Sequence, residues 1–410
     1  MAVRFVRRTL AATVCELSER FGAVLLTGPR QVGKTTLFRH IQRGARNYVT
    51  LDDPQDRALA QTDPAAFLQR YEPPVLIDEV QYAPQLFPYV KMSIDKLGKP
   101  GLFWLTGSQQ FEMMKHVSES LAGRVAIVKL LGFSMFEEAG KAQLVEPFLP
   151  KLQRLQNRQQ AVTPLSLMQV YQRIWRGAFP FVALNRLEDC QQFYQSYVAT
   201  YMQRDVRDYA RIHNESVFLK FLQLAAAHSG QLVNYAHWAR DLSVSQPTVK
   251  AWLTVLQACG LVYLLQPFET NLSKRVLKTP KLYFLDTGLC CYLAGWSSPQ
   301  VLERGAMSGA ILETYVVSEI IKSYWHNGKE PRVFFYRDKQ KREVDVILEE
   351  NGTIYPVAIK KTATPSKQHA QHFAALQQLN VSVGCGAVVC FRANYLPLTS
   401  DVYAVCAGCL

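Results

Sequence analysis

The sequence has no long apolar run. No stretch approaches the roughly 18 consecutive apolar residues that a helix needs to cross a membrane. The charged start of the chain also has no apolar core of the kind found in secretory signals. Its nine cysteines are scattered and odd in number, which favours a reducing compartment over a disulfide framework. We therefore expect a cytoplasmic protein that does not partner with a membrane.

Patterns typical of zinc sites are weak. Cys406 and Cys409 form a single C-x-x-C pair, and no second pair or nearby histidine completes it. His369 and His372 are three residues apart on a predicted helix without further ligands. A solvated helix face is the simpler interpretation of that pair, and no zinc is predicted.

Acidic residues are few relative to basic ones. The chain has 33 Asp and Glu against 46 Lys and Arg, which gives a formal net charge of +13. A chain this basic attracts polyanions, although surface charge also serves solubility. Basic residues cluster at Lys274, Arg275, Lys278 and Lys281, and again at Arg337, Lys339, Lys341 and Arg342. Both clusters are predicted to contact phosphates if nucleic acid is the partner.

The N-terminal part alternates predicted strands with helical stretches. The predicted strands are residues 23–26, 47–52, 75–77 and 102–106. Such alternation is typical of an α/β domain with a mainly parallel sheet, in which buried strands are continuous apolar runs. With 410 residues and 49% hydrophobic residues, the chain is long and apolar enough for two to three packed domains.

A phosphate-binding pattern follows the first predicted strand. The pattern G-x-x-x-x-G-K-[ST] is matched by Gly28, Pro29, Arg30, Gln31, Val32, Gly33, Lys34 and Thr35, and Thr36 continues into a predicted helix. Its glycines let backbone N–H groups close around phosphates, and the helix presents its positive end. Lys34 is predicted to reach the β- and γ-phosphates of ATP, and the Thr35 hydroxyl to hold Mg²⁺.

Two carboxylates complete the predicted nucleotide site. Asp78 and Glu79 follow an apolar strand, and ligands bind at the carboxyl ends of such strands. Asp78 is predicted to hold Mg²⁺ through water, and Glu79 to polarise the attacking water. The alternative is that both acids cap the next helix. Ser108, after the strand 102–106, is placed to touch the γ-phosphate or the water.

Arg124 lies after the next helical stretch and is a candidate arginine finger for a neighbouring subunit's nucleotide. A solvated loop arginine is the alternative.

Taken together, these segments resemble the AAA+ class of P-loop ATPases. More narrowly, it resembles a prokaryotic family with an AAA+ module, a winged helix and a C-terminal restriction-endonuclease-like domain. Segments typical of that family are residues 105–108, 120–124 and 284–289. An arginine finger that acts on a neighbouring subunit requires at least two copies of the chain, so we expect a homo-oligomer.

The middle of the chain is predicted to hold a winged helix. Residues 232–242 form one predicted helix, and residues 246–256 form a second, with Ser245 as its N-cap and Pro247 in its first turn. Gly260 and the predicted strand 261–265 follow, which gives the order of a winged helix. Its second helix would offer Gln246, Thr248 and Lys250 to DNA, with Lys274, Arg275 and Lys278 as phosphate contacts. The alternative role is packing or oligomerisation.

The C-terminal part carries a second constellation. Asn351 and Gly352 predict a tight hairpin turn. If Glu350 pairs with Thr353, the register places Asp345 opposite residue 358, with Cβ atoms about 5 Å apart. Pro356 is a possible bulge in that register.

This constellation resembles the PD-(D/E)XK nucleases. The resemblance implies Mg²⁺ ligands at Asp345 and at Glu313 on a helix, with Lys360 as the catalytic lysine. The alternative is that Asp345 and Lys360 lie on a sheet surface without a catalytic role. The acid expected in the facing strand is replaced by Ala358, so cleavage is expected to be impaired.

Together these features predict four parts: an AAA+ ATPase domain (1–140), a helical connector (141–224), a winged helix (225–285) and a restriction-endonuclease-like domain (286–410). The expected function is ATP hydrolysis, with Mg²⁺, by an oligomer that acts on nucleic acid, most simply DNA. The alternative is an ATP-dependent switch that assembles with a protein partner and uses the nuclease-like fold only for binding.

Overall fold

The computed structural model describes residues 5–42, 44–107, 117, 119–144, 146–185, 190–201, 215–269 and 278–410. The helices are α1 (Leu10–Ser18), α2 (Lys34–Ile41), α3 (Pro54–Thr62), α4 (Pro64–Arg70), α5 (Leu86–Leu97), α6 (Met135–Glu138), α7 (Leu152–Ala161), α8 (Leu167–Arg176), α9 (Pro180–Asn185), α10 (Gln191–Tyr201), α11 (Glu215–Ala227), α12 (Tyr235–Asp241), α13 (Gln246–Ala258), α14 (Thr287–Leu293), α15 (Pro299–Arg304) and α16 (Ser308–Trp325). Within these ranges no helix has both the length and the apolar character to cross a membrane.

The strands are β1 (Ala23–Thr27), β2 (Asn47–Thr50), β3 (Val75–Asp78), β4 (Phe103–Gly107), β5 (Val125–Lys129), β6 (Gln231–Leu232), β7 (Val262–Pro267), β8 (Lys281–Phe284), β9 (Val333–Arg337), β10 (Glu343–Glu350), β11 (Thr353–Ile359), β12 (Ser382–Val383), β13 (Gly386–Cys390), β14 (Leu396–Pro397) and β15 (Val402–Cys406). Short 3₁₀ segments lie at Val80–Tyr82 and Ala142–Leu144, and a longer one spans Lys367–Leu379.

The first five strands form a parallel sheet in the order β2-β3-β4-β1-β5. This confirms the predicted α/β domain. Alternate residues of β1 enter two separate cores: Val24 and Leu26 belong to one, and Leu25 to the other. A sheet with both faces buried needs apolar residues at every position, which is why its central strands are continuous apolar runs. The carboxyl ends of these strands meet at one edge, where the phosphate loop lies.

The predicted helix over 232–242 is wrong at its start. Leu232 lies in β6 and pairs with Lys281 of β8, and α12 begins only at Tyr235. The reason is local, because the Asn234 side chain accepts a hydrogen bond (3.0 Å) from the backbone N–H of His237 and caps the helix there. The predicted cap of α13 is confirmed: the Ser245 hydroxyl accepts from the Thr248 N–H at 3.2 Å.

The strands of the middle segment continue into the C-terminal sheet. The order of this larger sheet is β14-β15-β13-β11-β10-β9-β7-β8-β6, with β12 beside β11. The junction is a parallel pairing of β7 with β9, through Gln266 opposite Phe334. The division of the chain at residue 285 stays a prediction, and the hydrogen-bonded sheet runs across it.

The β10–β11 hairpin has the predicted register. Glu350 pairs with Thr353, and the turn residues Asn351 and Gly352 have φ angles of 52° and 77°. Pro356 lies opposite Ile347 without a bulge. The irregularity falls on the other side of β10, where its pairing with β9 shifts between Val344 and Ile347.

Candidate functional site

The phosphate loop connects β1 to α2, and two of its glycines are required by the backbone. Gly28 has a φ of +142°, and a Cβ there would lie 2.0 Å from the Leu130 carbonyl oxygen. Gly33, the residue before α2, has a φ of +90°. L-residues with side chains rarely adopt such angles, so the loop geometry depends on glycine at both positions.

The side chain of Lys34 lies within the loop. Lys34 is only 6% exposed. Its ammonium donates to the carbonyl oxygens of Gly28 (3.0 Å) and Pro29 (2.9 Å). The positive charge is therefore held at the mouth of the loop, where the backbone amides and the start of α2 also favour anions. Of the other predicted loop residues, Gln31 and Thr36 are exposed and Val32 is buried.

A hydroxyl and a carboxylate meet beside the loop. The Thr35 hydroxyl donates to Asp78 Oδ1 at 2.7 Å. The Thr106 hydroxyl contacts the same carboxylate oxygen, and the Tyr48 hydroxyl lies 3.4 Å from Asp78 Oδ2. Hydroxyl and carboxylate oxygens are the ligands that Mg²⁺ prefers, so Thr35 and Asp78 fit the predicted magnesium site.

Glu79 is held in an unusual backbone conformation at the end of β3. Its φ of 57° is left-handed, and its N–H donates to the Thr106 hydroxyl at 3.0 Å. The Gln81 side-chain amide donates to a carboxylate oxygen of Glu79. Glu79 directly precedes the 3₁₀ segment Val80–Tyr82, but its side chain makes no capping hydrogen bond to that segment, so the helix-cap alternative is not supported for Glu79.

Three residues of this cluster were missed by the sequence analysis: Tyr48, Gln81 and Thr106. Of the three, only Thr106 could have been identified from the sequence, because it is a polar residue near the carboxyl end of an otherwise apolar strand. Ser108, which was predicted to reach the γ-phosphate, lies outside the described residues.

Arg124 is not at the phosphate loop of its own chain. It directly precedes β5, which runs parallel to β1, so it lies at the opposite edge of the sheet. The five-residue strand separates the two edges by about 13 Å. The guanidinium pairs with Asp95 of α5, with Nε 2.5 Å and Nη2 3.1 Å from its two carboxylate oxygens. The pair is at the surface, where a finger for a second subunit would have to be.

The predicted DNA-contact residues fall into three groups. Gln246 and Lys250 are exposed on α13, as the prediction requires. Thr248 is half-buried, and its hydroxyl is hydrogen bonded to that of Ser245 at 2.8 Å, so it serves the helix cap. Lys278 is ion-paired with Glu269, whereas Lys274 and Arg275 lie outside the described residues.

Asp345 and Lys360 are neighbours, as the hairpin register predicted. Asp345 Oδ2 accepts hydrogen bonds from the Ile359 N–H (2.7 Å) and from the Lys360 ammonium (3.1 Å). Residue 358, where the resemblance calls for an acid, is a buried alanine. On this pair of strands, Lys360 therefore pairs with the carboxylate of Asp345.

Glu313 is occupied by groups from the middle segment. The Lys281 ammonium lies 2.9 Å from Glu313 Oε1 and 2.5 Å from Glu343 Oε1, and the Tyr283 hydroxyl donates to Glu313 at 2.5 Å. Lys281 is 4% exposed, so the prediction that it contacts phosphate is wrong. Its basic neighbours in the sequence gave no hint that β8 lies against α16. A buried ammonium needs such carboxylate partners.

A divalent metal does not fit this centre as it stands. Burial raises the pKa of Glu313, as does the nearby negative charge of Asp345, while Lys281 opposes the shift. The carboxylates of Glu313 and Asp345 are both engaged by protein N–H or O–H donors. Within the described part of the chain, no group of three His, Cys, Asp or Glu side chains is arranged to hold a metal ion.

Comparisons with known proteins match the chain in three segments. A family profile described as an AAA domain matches residues 20–139, which include the whole phosphate loop and the Asp78–Glu79 strand end. Two further profiles, described as domains of unknown function (DUF8612 and DUF4143), match residues 168–300 and 308–410.

Among solved structures, the Walker-type ATPase PABY2304 of Pyrococcus abyssi aligns with 71% of this chain and 96% of its own, at 15% identity and a TM-score of 0.44. The AMPPCP-bound DnaA from Aquifex aeolicus aligns with 60% of this chain and 85% of its own, at 14% identity and a TM-score of 0.23. Similarity at this level is too low to assign a property to the chain.

Two mycobacterial proteins are much closer in sequence. The uncharacterized proteins Rv2008c of Mycobacterium tuberculosis and Mb2031c of Mycobacterium bovis are each 31% identical to the chain over 404 residues. The alignment covers 97% of this chain and 83% of each relative. The chain therefore belongs to the same family as these two proteins, and residues 20–139 are its AAA domain.

Proposed function

We propose that the chain binds ATP with Mg²⁺ and hydrolyses it. The contact that carries this proposal is the 2.7 Å hydrogen bond between Thr35 and Asp78, which joins the phosphate loop to the acidic strand end. Lys34 is buried beside it. A P-loop ATPase needs a lysine at the phosphates, a hydroxyl and an acid at the metal, and a second acid at the water.

Each residue has one task in the proposed reaction. Loop N–H groups and the Lys34 ammonium bind the phosphate oxygens, and the ammonium leaves the carbonyls of Gly28 and Pro29 to do so. Thr35 and Asp78 would hold Mg²⁺, which supplies charge neutralisation at the β- and γ-phosphates. Glu79, fixed by Thr106 and Gln81, orients the attacking water and accepts its proton. No covalent intermediate with the protein is needed.

The direct test is release of inorganic phosphate from ATP by the purified chain. We expect Mg²⁺-dependent turnover. A chain that neither binds nor turns over ATP at millimolar nucleotide would overturn the proposal.

We further propose that the active ATPase is a homo-oligomer in which Arg124 acts on the neighbouring subunit's nucleotide. This proposal is motivated by the surface position of Arg124, which lies at the far edge of the sheet from its own phosphate loop, about 13 Å away along the strand direction. Specific activity is then expected to rise with protein concentration. Arg124→Ala and Lys34→Ala chains should each be inactive alone. Mixing them should restore turnover, because some interfaces then combine an intact loop with an intact finger.

The control for this experiment is Arg20→Ala, which removes an exposed arginine just after α1 that forms an ion pair with Glu16. This variant should keep full activity. Activity that is independent of concentration, from a strict monomer, would rule out a finger in trans.

Nucleic acid is the partner that we propose for this oligomer. The net charge of +13 and the exposed Gln246 and Lys250 on α13 motivate this proposal. Binding to double-stranded DNA should weaken steeply with salt, because phosphate contacts release counterions. Lys250→Ala should weaken binding to all sequences alike and lower the salt slope by about one. Lys220→Ala, an exposed lysine on α11, is the matched control.

The alternative is a protein partner. DNA affinity that is negligible, or that does not depend on salt, would favour an ATP-dependent switch in which the C-terminal part binds protein. Titration at four or more salt concentrations distinguishes the two.

A further inference from the structure

Arg8 reaches the phosphate loop from behind. It lies just before α1 and is 4% exposed. Its Nη1 donates to the carbonyl oxygen of Val32 at 2.9 Å, inside the loop and two residues before Lys34. Its Nη2 donates to the carbonyl oxygens of Leu131 (2.6 Å) and Gly132 (3.3 Å), in the segment that leaves β5.

That segment already touches the loop at a second point. The carbonyl oxygen of Leu130 approaches Gly28 so closely that a Cβ there would lie 2.0 Å away. The loop is therefore backed by residues 130–132, and Arg8 joins the two pieces of chain. The Arg8 hydrogen bond to the Val32 carbonyl and the approach of the Leu130 carbonyl to Gly28 both involve the backbone of the loop. They therefore fix the path of the loop and not just one side chain.

A buried carboxylate holds the guanidinium in place. Arg8 Nε lies 3.1 Å from Glu137 Oε1, and Glu137 is completely buried. The same carboxylate accepts the backbone N–H groups of Thr9 (2.9 Å) and Ser134 (2.9 Å). Burial alone would raise the pKa of Glu137, but the Arg8 charge and the His326 contact hold it well below its usual range. Glu137 is thus ionised at neutral pH.

His326, next to the end of α16, connects this cluster to the C-terminal part of the chain. Its Nδ1 lies 3.3 Å from Glu137 Oε1, and its Nε2 accepts the Leu131 N–H at 3.2 Å. Burial lowers its pKa, so at neutral pH the ring is neutral and Nε2 is free to accept. The helix α16 therefore anchors both Glu137 and the segment behind the loop.

We propose that Arg8 is a positioning residue for the phosphate loop, held by Glu137. The inference rests on the proposed ATP binding, because it assigns Arg8 a role in that site. A guanidinium donates in several directions from a rigid plane, whereas a lysine ammonium is a single point on a flexible stem. Only the arginine can bind Glu137, Val32 and Leu131 at once. Without it the loop must be ordered when nucleotide binds, which weakens affinity.

Arg8→Lys tests this, because it keeps the positive charge beside Glu137 while losing the bridge between the two carbonyls. Arg8→Ala is less informative, since it leaves the buried carboxylate without its counter-charge and threatens folding. We expect Arg8→Lys to raise KM for ATP, and Kd for a fluorescent ATP analogue, about tenfold. Its kcat should stay within about twofold of the unaltered chain, because bound phosphates order the loop.

The controls are Arg20→Lys, at an exposed arginine, and the melting temperature of each variant. Unchanged KM and Kd in Arg8→Lys, with nucleotide bound normally by the unaltered chain, would overturn the positioning role alone. A lowered melting temperature with unchanged KM would likewise show that Arg8 is only structural. No nucleotide binding by the unaltered chain would overturn this inference and the proposed function together.

Discussion

Lys34→Ala is expected to lower ATP turnover by about 100-fold or more, the scale on which preorganised charge at a reacting centre acts. The ammonium is the only lysine charge inside the loop, and it is held there by the carbonyls of Gly28 and Pro29. Its loss removes the charge that we propose faces the β- and γ-phosphates, so nucleotide affinity should fall as well. Turnover and analogue binding measure the two effects separately.

Glu79→Gln is the companion variant, and it is expected to separate binding from hydrolysis. The amide keeps the shape of the side chain but cannot accept a proton from water, so turnover should fall about 100-fold with little loss of affinity. Two matched controls are Lys96→Ala on α5 and Glu72→Gln before β3, both at exposed positions. Equal turnover in Glu79→Gln and the unaltered chain would show that Glu79 is not the water-orienting acid.

Ala358→Glu is expected to create metal-dependent DNA cleavage, and the unaltered chain is expected to show little or none. Glu350 pairs with Thr353, and continuing this register places residue 358 opposite Asp345 on the same face, with Cβ atoms about 5 Å apart. At present Asp345 is bound by the Ile359 N–H and Lys360, and the facing position in β11 is Ala358, which offers no carboxylate. A new carboxylate there would supply the second oxygen ligand that Mg²⁺ needs.

Cleavage of plasmid DNA with Mg²⁺ or Mn²⁺, with and without ATP, measures this effect. Ala358→Gln has the same shape without the charge and should stay inactive. Adding Asp345→Ala or Lys360→Ala to Ala358→Glu should abolish cleavage again. If a folded, DNA-binding Ala358→Glu chain cuts nothing, the C-terminal part is a binding module. Efficient cleavage by the unaltered chain would instead show that these metal ligands are wrongly assigned.

Local patterns predicted the parts of the molecule that local chemistry determines. The phosphate loop, the apolar strands before Gly28 and Asp78, and the hairpin at Asn351 and Gly352 all depend on neighbouring residues. The strand β5 was not predicted, although residues 125–128 form a short apolar run; β5 lies at the end of the sheet, and its residues alternate in burial. The start of α12 was misplaced because one capping side chain, that of Asn234, decides it.

Contacts between distant segments were beyond the sequence patterns. Thr106 and Tyr48 reach Asp78 only because β2 and β4 flank β3, and strand order is not encoded in periodicity. Lys281 looked like part of a basic patch, yet β8 places it between Glu313 and Glu343. No sequence pattern pointed to Arg8. Its hydrogen-bond acceptors are backbone carbonyls, and the carboxylate that it pairs with, Glu137, is more than 100 residues away in the sequence.

We propose that Thr35, Asp78 and Lys34 form a working ATP site in this chain. The decisive measurement is steady-state phosphate release from ATP, in Mg²⁺ and in excess EDTA, with and without double-stranded DNA. We expect turnover in Mg²⁺ that disappears in EDTA and in Lys34→Ala, and that rises when DNA is added. Turnover that persists in Lys34→Ala would show that these residues are not the ATP site, as would a folded chain that shows no turnover under any of these conditions.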